Sequence, residues 1–303
     1  MISNGSSGDL AADRRYAWAR GALETGDFEG ARDLFAQTLE RAPHWAPAWF
    51  GLGEALEALG RRDEAAAAFR DALTCDPADA AGARLRLARL AGETPVAAPR
   101  AYVQTLFDQY SATFDRHLVE KLAYRGPEIL GEAVARAAPG RIFANMLDLG
   151  CGAGLAGAVF RTGARHMSGV DLSPAMIEQA RAKGIYDRLV AGDLGEFLAG
   201  EPADAADLVI AADVFVYLGD LDPVFAGVAR VLRNGGLFAF TCQSLDEGES
   251  YAVGADLRFA HSQNYLRGCA ARAGLAIGEI SPAVSRKDRG ADVPGFVALL
   301  LKI

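Results

Sequence analysis

Asp148, Gly150, Gly152 and Gly154 lie in LDLGCGAGLAG, residues 147–157, where an apolar run ends in a carboxylate and a cluster of glycines. Two patterns overlap there. Gly150, Gly152 and Gly154 read G-x-G-x-G, while Gly152, Gly154 and Gly157 read G-x-G-x-x-G, the dinucleotide fingerprint. Glycines between a strand and a helix let the backbone approach a ligand, and the helix N-terminus favours negative charge. A pyrophosphate would use that geometry. Asp148, at the mouth of the strand, would repel one and would suit a cation such as the amino group of an amino acid.

Two more carboxylates end the next apolar runs. Asp171 can accept two hydrogen bonds from ribose hydroxyls, a feature shared with NAD enzymes and therefore neutral between ligands. Asp193, within Gly192-Asp193-Leu194, can accept an exocyclic adenine amine. An amino end, a ribose and an adenine, with no phosphate, describe S-adenosylmethionine.

The elements that must position these groups alternate. IFANMLDLG, HMSGVDL, DRLVAGD, ADLVIAADV and GGLFAFTCQ read as buried parallel strands, with helical stretches between them. Asn234-Gly235-Gly236 reads as a helix stop and turn. A helix, HSQNYLRGCAARAG, and two strands, LAIGEISP and GFVALLLKI, follow. This predicts an α/β doubly wound, Rossmann-like sheet over residues 142–303, with ligand at the carboxyl ends of the strands.

The set LDLGCGAG, GVDLSPAMIEQA, AGDL, DLVIAADVFVYL and LRNGGLFAFT resembles the class I S-adenosylmethionine-dependent methyltransferases. The resemblance implies a seven-stranded sheet. It assigns Asp148, Gly150, Gly152 and Gly154, with Ala212 and Asp213, to the methionyl part of the cofactor. It assigns Asp171 and Leu172 to the ribose, places Met176 beside the adenine, and puts Asp193 and Leu194 at the adenine edge. The Asn-Pro-Pro-Tyr motif of adenine and glutamine N-methyltransferases is absent, AADVFVY standing in its place, which argues against those substrates.

Residues 12–91 repeat at an offset of 34: Gly26 falls on Gly60, Ala31 on Ala65, Phe35 on Phe69 and Pro43 on Pro77. The second copy resembles the tetratricopeptide repeat through Trp49, Leu52, Gly53, Leu56, Gly60, Ala65, Phe69, Ala72 and Pro77. Small residues sit where helices cross, and Phe69 fills the gap. The first copy departs from the pattern at Arg15 and Ala22, with Tyr16 and Trp18 available to compensate. DAAGARLRLARLAG reads as a lone capping helix. The expected organisation is an all-α repeat domain over 12–91, a linker over 92–100, a helical lead-in or lid over 101–141, and the α/β domain. The whole resembles bacterial methyltransferases fused to tetratricopeptide repeats. The repeats are expected to bind a protein or peptide partner.

Methyl transfer is an in-line displacement at a sulfonium, so alignment and water exclusion matter most. A base is needed only where the acceptor carries a proton. His261, expected to open a helix on the catalytic edge, is the candidate base. Tyr110 and Tyr217 are candidates to line the acceptor pocket, Tyr110 from an aromatic face shared with Phe114. The acceptor is a small molecule or a protein side chain. A non-catalytic cofactor-binding adaptor and an NAD-dependent oxidoreductase are the alternatives.

The 303 residues carry a formal net charge of -8, which argues against nucleic-acid or anionic-membrane partners. Cys75, Cys151, Cys242 and Cys269 lack metal-ligand or redox spacing, so no metal and a reducing compartment are expected. The start, MISNGSSGDL, has no basic or apolar signal region, and no run is long enough to span a bilayer. A cytoplasmic location is expected.

Overall fold

The computed structural model describes residues 5–110, 124–245, 250–288 and 290–303. The chain divides into two compact units, Met1–Gln109 and Tyr110–Ile303. Among the described residues no helix is long and apolar enough to cross a membrane.

In the first unit six helices follow in order: α1 (Leu10–Thr25), α2 (Phe28–Arg41), α3 (Ala46–Ala58), α4 (Arg62–Cys75), α5 (Ala83–Ala91) and α6 (Arg100–Tyr110). Asp9 and Asp27 cap α1 and α2 through their side chains. Gly26 and Gly60 take the left-handed conformation at equivalent turns, with φ of 84° and 76°. The equivalence at a distance of 34 residues is therefore structural. α3 is small on both sides: a Cβ on Gly51 would lie 2.4 Å from Phe35, and one on Gly53 2.6 Å from Phe69. Both phenylalanines are fully buried. Of the two aromatics in the weaker first copy, Tyr16 compensates, packing on Trp45 and Phe35. Trp18 does not; it is 63% exposed. A ladder of ion pairs, Arg20–Glu54–Arg86–Glu57–Arg89, links α1, α3 and α5.

The expected lead-in is split. Its first helix, α6, lies almost wholly in the first unit, where the Tyr102 ring sits against Gly82. The Tyr110 side chain and residues 111–123, which include Phe114 and the centre of the expected lid, lie outside the described residues.

The second unit begins with α7 (Gly126–Ala137) and then alternates: β1 (Phe143–Leu149), α8 (Leu155–Phe160), β2 (Ala164–Asp171), α9 (Pro174–Lys183), β3 (Arg188–Ala191), α10 (Leu194–Gly200), β4 (Ala206–Ala211), α11 (Asp222–Val231) and β5 (Leu232–Ser244). Then come β6 (Tyr251–Val253), β7 (Phe259–His261), α12 (Gln263–Arg272), β8 (Leu275–Ala283), the small hairpin of β9 (Lys287–Asp288) and β10 (Ala291–Asp292), and β11 (Gly295–Lys302). The main path is β3-β2-β1-β4-β5-β11-β8, the seven strands expected, with β7 and β6 added beside the end of β5.

β1 to β5 pair in parallel, whereas β11 is antiparallel to both β5 and β8. β8 therefore runs the same way as β5 and ends on the same edge. One face is covered by Phe197, Phe225, Val228 and Leu266, the other by Leu130, Val134 and Phe160. Chain direction across the sheet reverses between β1 and β4, which opens a crevice at their carboxyl ends.

The Asn234-Gly235-Gly236 stop is corrected. α11 ends three residues earlier, and the chain enters β5 through a register shift against β4 at Asp207, with Gly235 at φ 71°. The buried Asp207 carboxylate accepts the amides of Ala144 and Asn145 at 2.8 Å and pairs with Arg233, which satisfies the irregularity.

Candidate functional site

β1 delivers the Asp148 carboxylate to the crevice, and the chain then turns into α8 through Gly150, Gly152 and Gly154, with φ of 67°, 52° and 89°. Such backbone angles favour glycine, and Gly150 and Gly154 are also crowded. A Cβ on Gly150 would lie 2.5 Å from Val214, and one on Gly157 2.3 Å from the Tyr186 hydroxyl. Tyr186, which sequence reading missed, lies beneath the loop. Its hydroxyl donates to Asp148 Oδ2 at 2.6 Å.

Asp148 is fully buried, and its second oxygen, Oδ1, has no hydrogen-bond partner among the described residues. Burial, together with the nearby charge of Asp171, raises its carboxyl to about 7 despite the Tyr186 hydrogen bond. An unpartnered buried oxygen at the mouth of a glycine turn demands a donor. A protonated amine meets that demand; a phosphate does not.

Asp171 ties the second loop to the first. Its Oδ2 accepts from Gly152 N and its Oδ1 from Ser173 N, both at 2.9 Å. Ser173 caps α9 and places the buried Met176 on its first turn, with Leu172 between Asp171 and the cap. Asp193 Oδ1 accepts from Gly195 N and Glu196 N, capping α10 at Leu194. Asp148, Asp171 and Asp193 thus stand at the ends of three neighbouring strands. Ala212 and Asp213 follow β4 across the crevice, Asp213 with an unusual positive φ of 55°.

Asp213 is held by a cluster that the sequence did not signal. Its Oδ1 accepts from Thr241 at 2.9 Å and from Ser285 at 3.0 Å, and Arg286 Nη1 stands 3.5 Å from Oδ2. The charges of Asp213 and Asp148 add to burial in pushing the Tyr124 phenol well up, with Arg286 opposing. Tyr124 therefore lies within electrostatic reach of all three groups.

His261 does not open a helix. It closes β7, and Ser262 caps α12. The ring is fully buried and stacked on Tyr265, with Nε2 3.2 Å from the Gly219 carbonyl. Burial lowers its pKa to about 4, a poor match for a general base. Tyr217 is buried in a short 3-10 turn after β4; its hydroxyl accepts from Arg258 at 2.8 Å, and the guanidinium lies over its ring. Cys151 is a packed side chain whose thiol burial pushes well up, not a nucleophile.

Comparison with known proteins meets this geometry. Residues 147–240 match a methyltransferase-domain family, and residues 16–80 match a tetratricopeptide-repeat family. Residues 16–80 thus read as tetratricopeptide repeats and residues 147–240 as a methyltransferase domain. It is 33% identical over 130 residues to malonyl-acyl-carrier-protein O-methyltransferase of Salmonella typhimurium, covering 42% of this chain and 51% of that one. It is 33% identical over 145 residues to aklanonic acid methyltransferase of a Streptomyces species, covering 46% and 64%. The chain therefore spans about half to two thirds of these relatives. In fold it is similar to the 1,6-didemethyltoxoflavin-N1-methyltransferase of Burkholderia thailandensis, solved with S-adenosylhomocysteine. The TM-score is 0.53 at 19% identity, covering 69% of this chain and 92% of that one.

Proposed function

We propose that the protein transfers the methyl group of S-adenosylmethionine to a small-molecule or protein or peptide acceptor, and that the repeats bind a partner or that acceptor. The observation that carries this is the buried, unpartnered Asp148 Oδ1 beside three left-handed glycines. In this reading Asp148 takes the amino group, the glycine turn, Ala212 and Asp213 flank the methionyl chain, and Asp171 and Leu172 hold the ribose. Met176, Asp193 and Leu194 bound the adenine. When bound, the donor supplies an electrophilic methyl group on a positive sulfur. The residues align the acceptor with it and exclude water. The names of the two relatives support an acceptor with a carboxyl group, since a malonyl group and aklanonic acid each carry one.

The repeat face that joins α1, α3 and α5 is occupied by its own ion-pair ladder. A partner using that face would have to displace or cover those pairs.

The test is turnover. Incubated with tritiated-methyl S-adenosylmethionine and a cell extract, the full chain should move label into product while releasing S-adenosylhomocysteine. Binding of the donor with no label transferred would instead leave a binding protein.

A further inference from the structure

Arg286 is 7% exposed, an uncommon setting for an arginine. It follows β8, which ends on the same edge as β4 and β5, and it reaches back across that edge. Its Nη2 donates to Gln243 at 3.1 Å on β5, and its Nη1 faces Asp213 at 3.5 Å. That second approach is an ion pair without a hydrogen bond; the Asp213 oxygens accept theirs from Ser285 and Thr241. Among the described residues no other acceptor hydrogen-bonds the guanidinium, which has five N–H groups to place. The neighbouring backbone is pinned: Arg125 N donates to the Ser285 carbonyl at 2.7 Å, which brings Tyr124 to the same edge. A buried guanidinium with open donors is therefore held beside Asp213 and Gln243, at the carboxyl ends of β4 and β5.

Two candidate groups among the described residues are already engaged: His261 is fully buried with Nε2 facing a carbonyl, and the Tyr217 hydroxyl accepts from Arg258. An acceptor that must lose a proton finds no suitable base in either group. One that arrives already ionised needs none.

We infer that Arg286 binds a carboxylate of the acceptor, and that the protein forms methyl esters. This rests on the methyl-transfer reading above. One carboxylate oxygen is held by the guanidinium. A lone pair of the other forms the new O–CH3 bond as the S–CH3 bond breaks, and the bonding pair stays on sulfur. A carboxylate and a sulfonium become a neutral ester and a neutral thioether, with no proton transferred. Charge is annihilated in the step, which a water-poor site favours.

Three measurements on the full chain test this. Calorimetry with S-adenosylhomocysteine comes first. If it does not bind, the methyl-transfer reading fails, whatever Arg286 does. With binding established, label from tritiated-methyl S-adenosylmethionine is followed into extract products, which are then treated with alkali. Methyl esters release the label as volatile methanol. Alkali-stable label, or no labelled product despite S-adenosylhomocysteine binding, overturns the inference. Finally, succinate, glutarate and benzoate are titrated against their neutral methyl esters into protein saturated with S-adenosylhomocysteine. The acids should bind more tightly than the esters. Arg286→Gln and Arg286→Lys should lose that preference at least tenfold, read as the ratio of acid to ester affinity in protein kept saturated with S-adenosylhomocysteine. Arg286→Lys keeps the charge pair with Asp213 but not the planar fork, so it covers a failure of Arg286→Gln to fold. No difference between acids and esters, or between wild type and Arg286→Lys, would reduce Arg286 to a support for Asp213.

Discussion

Replacing the Asp148 carboxyl by an amide, Asp148→Asn, should make the second unit relatively more stable as the pH rises. The carboxyl moves from an ordinary 3.8 to about 7 on folding, because it is buried with one oxygen unpartnered and Asp171 near. The sign follows from proton counting. The unfolded chain loses this proton near pH 4 and the folded chain holds it to about 7, so stability is lost as pH climbs through that window and stays low above it. The span amounts to about 4 kcal/mol at 1.36 kcal/mol per pH unit. The amide can still accept from Tyr186, and the cost of its own buried N–H groups is independent of pH. The difference in unfolding free energy, Asp148→Asn variant minus wild type, should therefore rise by about 3–4 kcal/mol between pH 4 and pH 8. The assay is urea unfolding without ligand at stepped pH, followed by far-ultraviolet circular dichroism. The three tryptophans, Trp18, Trp45 and Trp49, all lie in the repeats, so their fluorescence separates the first unit from the second. A difference that stays flat with pH would refute the buried, unpartnered carboxylate.

Asp171→Ala should weaken S-adenosylhomocysteine binding by about 1.5–3 kcal/mol, from lost charge-assisted hydrogen bonds and a loosened Gly152 amide. Unchanged calorimetric affinity in the folded variant would remove the ribose assignment. Gly157→Ala should cost about 1–3 kcal/mol in unfolding free energy, because its Cβ would meet the Tyr186 hydroxyl at 2.3 Å. It should also lower the Asp148-dependent affinity; wild-type stability would show that the contact relaxes freely. His261 has a depressed folded pKa of about 4 against 6.5, so its contribution is present above pH 6.5 and lost as pH falls toward 4. His261→Phe should reduce that acid sensitivity by about 3 kcal/mol in urea titrations. An unchanged acid limb would mean that the ring is not buried as seen.

Much of this was readable from spacing. Apolar runs ending in Asp148, Asp171 and Asp193 marked three strand ends, and the left-handed glycines marked the turn between β1 and α8. The 34-residue offset found the repeats because Gly26 and Gly60 do one job twice. What stayed hidden depended on contacts between distant segments. Tyr186 carries no local pattern that says it will lie under Gly157, and Ser285 and Arg286 reach Asp213 only because β8 and β11 fold back antiparallel. His261 looked available because it precedes a good cap at Ser262; the short β7 that buries it has too few residues to leave a periodic signal.

The central claim is most directly tested by calorimetric titration of the full chain with S-adenosylhomocysteine and with NAD, at pH 6 and pH 8. The amine should require ionised Asp148, which with a pKa of about 7 is roughly one-tenth populated at pH 6 and nine-tenths at pH 8. S-adenosylhomocysteine should therefore bind at one site, about tenfold more tightly at the higher pH, and NAD should not bind. Binding of NAD in preference, or S-adenosylhomocysteine affinity that does not change with pH or with Asp148→Asn, would contradict the account.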